Sequence, residues 1–189
     1  MHVLQWIAIE AEAPSEVTTL EECKDQALRT VEGILENSLN PEGSNGEWFD
    51  WFVAGGGRWN VSETDDFEEA YKEGKTNMVI HAGTDPDRFE ERILLSMENR
   101  KEEFDRYAGD VKPELLSSII TDYNPRELDF VKFMDLYPIK KIIDMAYGNW
   151  DSNSYFYDIT NYSVTPKYVF EAIDKDPNSW YLIPVDFHF

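Results

Sequence analysis

Basic residues, histidine and cysteine are all scarce in this 189-residue chain. Lysine and arginine number 17 against 38 acidic residues, a formal net charge of −21. Such a chain repels nucleic acid and anionic membranes and attracts basic surfaces, so direct nucleic-acid binding is excluded first. The single cysteine, Cys23, rules out a disulfide within the chain and falls on the apolar face of a predicted helix, where it reads as a buried thiol. The three histidines, His2, His81 and His188, have no metal-ligating spacing with the cysteine or with one another, so neither a metal nor a cofactor is expected. No apolar run is long enough to cross a membrane and no signal peptide is recognisable, which points to a cytoplasmic protein. P-loop, nucleophile elbow and dinucleotide fingerprint are missing, as are internal repeats and low-complexity segments.

Aromatic residues, by contrast, are abundant: 14% of the chain within a hydrophobic total of 42%. That composition gives a globular protein despite the charge. Its length allows one domain, or one domain with a large insertion, burying about 70% of the unfolded surface.

The densest stretch runs from Glu47 to Asn60, EWFDWFVAGGGRWN. The apolar run Trp51, Phe52, Val53, Ala54 reads as a strand, and Gly55, Gly56 and Gly57 as the sharp bend that ends it. Arg58 and Trp59 follow directly. An arginine fork beside exposed backbone amides suits a phosphate or carboxylate, with Trp51 and Trp59 as stacking surfaces. The alternative is structural: indoles in the core, glycines making room, and Arg58 stacked on an indole or paired with a carboxylate.

This segment resembles the W-D-W-(F/Y)-x-x-G-G-R-W pattern of a group of small bacteriophage and bacterial proteins, with three glycines here where the pattern has two. The resemblance extends to an N-terminal strand and helix and to a terminal strand ending V-D-x-H, here Val185, Asp186, Phe187, His188. It covers about a third of the chain, mostly its two ends. It implies a phage or mobile-element origin and action inside a host cell, and carries no activity with it.

In chain order, residues 3–12 alternate with apolar side chains on both faces, as in a central strand. Thr18 and Thr19 stand at capping-box spacing from Glu21 and Glu22, and open a helix whose apolar positions run from Leu20 through Leu35. Residues 65–72 read as a short acidic helix and 77–82 as a short strand. Asp85 and Pro86 cap and start a helix through Tyr107, with Phe89, Ile93, Met97, Phe104 and Tyr107 on its buried side. Three proline-bounded helices are expected at 113–121, 125–134 and 139–147. An aromatic strand at 154–162, a helix from Thr165 to Ile173 and a final strand at 180–189 complete the order. Together these predict an α+β fold, a ferredoxin-like (split βαβ) antiparallel sheet with helices on one face. Its core is 1–61 plus 148–189, and 62–147 forms an acidic, mainly helical insertion packed on it.

Two functions compete on this sequence. The leading one is a non-enzymatic, phage-type inhibitor whose acidic surface imitates nucleic acid and occupies a basic, nucleic-acid-handling defence protein of the host. Its contact residues would be Asp65, Asp66, Glu68, Glu69, Glu90, Glu91, Glu98, Glu102, Glu103 and Asp105. The other is a ligand-binding module that sequesters a phosphorylated or nucleotide-like signal at Gly55, Gly56, Gly57, Arg58, Trp59 and Trp51. A third arrangement, Asp186 and His188 pointing the same way from one strand with Asp50 near them across the sheet, offers a metal or hydrolase site.

Overall fold

The computed structural model describes residues 2–38, 49–60, 78–111, 130–147 and 155–188. Its elements are β1 (His2–Glu10), α1 (Leu20–Ser38), β2 (Trp51–Ala54), a 3₁₀ turn (Gly57–Asn60), β3 (Ile80–His81), α2 (Pro86–Asp110), α3 (Phe130–Tyr147), β4 (Phe156–Asp158), α4 (Lys167–Ile173), a second 3₁₀ turn (Pro177–Ser179) and β5 (Trp180–His188). The expected helices at 65–72 and 113–121 lie outside the described residues.

The two nine-residue strands β1 and β5 form an antiparallel ladder from His2↔His188 to Glu10↔Trp180. They are the centre of a five-stranded sheet of order β2-β5-β1-β4, with β3 beside β5. β2 and β3 share one side of β5, β2 against residues 185–188 and β3 against residues 181–182. Pro184 stands where one neighbour has ended and the other has not begun. The Pro184 carbonyl accepts the Gly55 N–H at 2.8 Å, and its missing N–H faces the same gap, so the ladder loses nothing.

This is an α+β fold, but the sheet is mixed: β4 pairs with β1 in parallel, Trp6↔Phe156 through Ala8↔Asp158. Nor do the helices share one face. Ile7, Ile9, Tyr181, Ile183 and Phe187 pack on Cys23, Ala27, Val31 and Leu35 of α1. Trp6, Ala8 and Leu182 pack on Phe89 and Ile93 of α2 and Val169 of α4. The physical reason lies in β1 and β5 themselves. Both are apolar on both faces, and each face needs its own cover.

Three local expectations are refined. The 62–147 stretch supplies β3 to the sheet and α2 to the second core. Pro138 lies inside α3 instead of dividing two helices, where it withholds one N–H from the helix. β4 is shorter than expected because the Asp158 carboxylate turns the chain, accepting from the amides of Thr160 and Asn161 at 3.0 Å. Tyr162 then adopts a positive φ of 53°.

Candidate functional site

The glycine bend and the end of the last strand meet. Gly55, Gly56 and Gly57 have φ of 86°, 100° and 47°, and all three are buried. The bend turns the Arg58 N–H onto Asp186 Oδ2 at 3.3 Å. A Cβ on Gly57 would lie 2.9 Å from both Cβ and Oδ2 of Asp186. The bend therefore holds a carboxylate, but one belonging to the protein itself. The Arg58 side chain is exposed and lies over the Trp59 ring at 5.7 Å. It forms no ion pair with a carboxylate among the described residues.

Asp186 is fully buried, and its Oδ1 accepts from His2 Nδ1 at 3.0 Å. Around it the starts of β1 and β2 and the end of β5 bring three rings together. Trp51 stacks on His188 with centroids 4.9 Å apart and planes at 10°. His2 meets His188 edge-on at 4.9 Å and Trp51 at 5.4 Å. Asp50 reaches His188 Nδ1 at 3.4 Å. Of the trio read from sequence, Asp50 and His188 thus come together, while Asp186 takes His2 as its imidazole partner. No cluster of metal-ligating side chains forms among the described residues.

Beside this junction lies a cleft of about 770 Å³, between the β1 face carrying His2, Leu4 and Trp6 and the inner side of α2. Arg92, Ser96, Asn99, Glu103 and Arg106 line it from α2, Tyr137 and Lys141 from α3, with Tyr155 and Trp59. Their spacing of three and four residues puts the α2 group on one stripe of the helix. Cations lie over rings throughout: Arg92 over Trp6 at 6.0 Å, Arg106 over Tyr107 at 4.8 Å, Lys141 over Tyr137 at 5.5 Å. Arg92 Nε is buried without a hydrogen-bond partner. Arg100 donates to the carbonyls of Val164 and Met145, tying α2 to α3 and to the loop before α4.

No protein-family model, no curated protein and no solved structure matches the chain.

Glu103 organises one wall of the cleft. Its carboxylate accepts from the Tyr155 hydroxyl at 3.0 Å and from Arg106 Nη2 at 3.1 Å. Burial, and then the Glu103 charge beside it, push the Tyr155 phenol up to about 12. Burial is likewise the main cause that raises Tyr107, followed by Glu103.

The acidic residues named from sequence divide accordingly. Glu90, Glu91, Glu98, Glu102 and Asp105 are exposed on α2, Asp105 in contact with Lys101 at 2.5 Å. Glu103 turns inward instead, because it lies two turns after buried Ser96 on the same stripe of the helix. Asp65, Asp66, Glu68 and Glu69 lie outside the described residues. Phe104, expected on the buried side, is exposed.

His2, Arg92, Arg106, Lys141 and Tyr155 were not singled out from sequence. For the α2 pair a signal existed. The apolar stripe through Phe89 and Ile93 continues in register as Ser96, Asn99, Glu103 and Arg106, a polar run in which Ser96 and Glu103 turn into the fold while Asn99 and Arg106 are exposed at the rim of the cleft.

Proposed function

We propose that the cleft between the sheet and α2 binds a small anionic ligand that also carries a flat ring, a phosphorylated or nucleotide-like molecule. The observation that carries this reading is the convergence of Arg92, Lys141 and Arg106, the last paired with Glu103 of the same cleft, with indole and phenol rings in a chain of net charge −21. Arginine forks suit phosphate, and rings interleaved with cations suit a base. A buried donor such as Arg92 Nε costs roughly 1–3 kcal/mol while it has no acceptor, and a bound anion supplies one. The acidity of the whole chain opposes an arriving anion, but screening limits that field to about 8 Å at physiological salt, whereas the cleft cations act at contact. The ligand set differs from the one named from sequence: Trp59 belongs to it, Arg58 stands beside it, and the glycines act through Asp186.

The test is calorimetric titration of the protein with ATP, ADP-ribose and NAD, with Arg92→Ala and Arg106→Ala as variants. Binding by at least one, weakened about tenfold or more by either variant, is the expected result. Failure of all three to bind, or binding indifferent to both variants, would remove the cleft from consideration.

A second reading draws on the outer side of α2, where Glu90, Glu91, Glu98 and Glu102 stand exposed along a helix of 25 residues. In it the chain is a non-enzymatic, phage-type inhibitor that meets a basic, nucleic-acid-handling host defence protein through these carboxylates. Capture of such a partner from host lysate, lost when the four glutamates become glutamines, would support it. Unchanged capture by that variant would exclude it. The finer fold assignment is proposed in the same sense: β1, α1 and β2 enclosing β5 form the split βαβ unit of a ferredoxin-like sheet, with β4 added beside β1 and β3 beside β5.

A further inference from the structure

Two expensive features converge on one imidazole. A fully buried carboxylate such as Asp186 rarely contributes more to stability than a well-packed apolar side chain would. Three consecutive positive-φ glycines add a cost in chain entropy. Together they seat Asp186 against His2: Gly57 leaves the space, the Arg58 amide holds one carboxylate oxygen, and the other takes the His2 ring. Because a carboxylate only accepts, Nδ1 of His2 donates to Asp186, and Nε2 is the ring nitrogen on the side away from that carboxylate. Trp51 and His188 fix the ring's tilt from two sides. The His2 side chain keeps 19% of its exposure and lines the same cleft as Arg92, Arg106 and Lys141.

We propose that His2, positioned by Asp186, is the general base of the cleft, and that the cleft hydrolyses a phosphoanhydride bond in the ligand it binds. This rests on the ligand reading above. A water gives its proton to His2 Nε2 as its oxygen bonds to phosphorus. The bond from that phosphorus to the bridging oxygen breaks, and the leaving phosphate keeps the electron pair. The imidazolium then releases its proton to solvent. Anhydrides fit this cleft better than simple phosphate esters because their leaving group departs as a stable anion and needs no proton donor. The Tyr155 hydroxyl is already committed to Glu103. Arg92 and Lys141 neutralise charge on the transferred group.

The experiment incubates the full-length protein with ATP, ADP-ribose and NAD in magnesium buffer containing ¹⁸O-water and follows products by ³¹P NMR and mass spectrometry. The expected result is cleavage of at least one of them, with one ¹⁸O in a product phosphate. His2→Gln should lower kcat about 100-fold or more with KM changed less than threefold, in line with loss of a general base. His2 is part-exposed and carries the test, while Asp186→Asn, at a buried position, is read by ¹⁵N NMR of the His2 tautomer. Loss of the Nδ1–H form in that variant supports the positioning role, and its retention overturns it. Binding without turnover would overturn the hydrolytic proposal and leave the ligand reading standing. Full kcat in His2→Gln would also overturn it. Failure to bind any of the three would remove both.

Discussion

Gly57 and Asp186 are in contact across the sheet edge, with no room between them for a methyl group. Gly57→Ala therefore meets two obstacles, a backbone at φ 47° and a carboxylate in the place of the new Cβ. The backbone alone costs about 1–2 kcal/mol, and displacement of Asp186 adds to that. Gly33, within α1, has open space where a methyl group would stand. Gly33→Ala should stabilise by about 0.5–1 kcal/mol, the ordinary gain for a helix interior. Thermal melts of the pair should move in opposite directions, and a neutral Gly57→Ala would show that the bend is not built around Asp186.

The start of α1 offers a pH-dependent prediction. Thr19 and Glu22 form a reciprocal capping box, with Thr19 N–H on Glu22 Oε2 at 2.8 Å and Glu22 N–H on Thr19 Oγ1 at 3.3 Å. The backbone amide of Thr19, and then its hydroxyl, lower the Glu22 pKa. A lowered folded-state pKa gives stability that is present above the unfolded value and lost as pH falls through the folded one. Thr19→Ala should cost about 0.5–2 kcal/mol at neutral pH. The penalty should shrink on acidification below the usual glutamate range, measured by urea unfolding at pH 7 and pH 3.

How much of this was legible in the sequence depends on the range of the interaction. The capping box, the apolar period of α1 and the two-faced apolar pattern of β1 are local, and each corresponds to an observed element. Even the cover on both sheet faces was implicit in Val3 to Ile9, since a strand apolar on both sides cannot leave one bare. Pairing was implicit only in part. The expected approach of Asp50 to Asp186 and His188 puts β2 near β5, while nothing in the sequence says that β4 runs parallel to β1. His2 illustrates the same limit. Its role comes from Asp186, far along the chain, through a ladder that places His2 opposite His188. The cleft was half legible: the turn from Phe89 and Ile93 to Ser96, Asn99, Glu103 and Arg106 is visible on a helical wheel, whereas Tyr155 and Lys141 arrive from other elements.

Tyr155 should titrate late. Its phenol, held up near 12 by burial and by Glu103, stays protonated while exposed tyrosines ionise. Because the folded-state value lies above the unfolded one, the associated stability is full below about pH 10 and is lost as pH rises towards the folded value. Tyr107 and Tyr181 are raised as well, chiefly by burial, so absorbance titration at alkaline pH should show several late phenols, one of which disappears in Tyr155→Phe. Glu103→Gln should bring that phenol to lower pH, since it removes the second cause and leaves burial. A late phenol unaffected by both changes would belong to another tyrosine.

The stretch 62–147, read from sequence as an insertion, should not be removable. Ile80 of β3 pairs with Leu182, and Phe89 and Ile93 of α2 are fully buried in a cluster with Trp6, Ala8 and Leu182. Excision would uncover the α2-side face of both central strands, and an exposed apolar face of that kind drives association. Joining residue 61 to residue 148 should therefore give a product that binds hydrophobic dye and lacks a cooperative melt. Phe89→Ala supplies the graded version, at about 3–5 kcal/mol for a buried aromatic. A small penalty there, with a folded excision product, would mean that β1, β5 and α1 sustain the domain alone and that the second core is an addition to it.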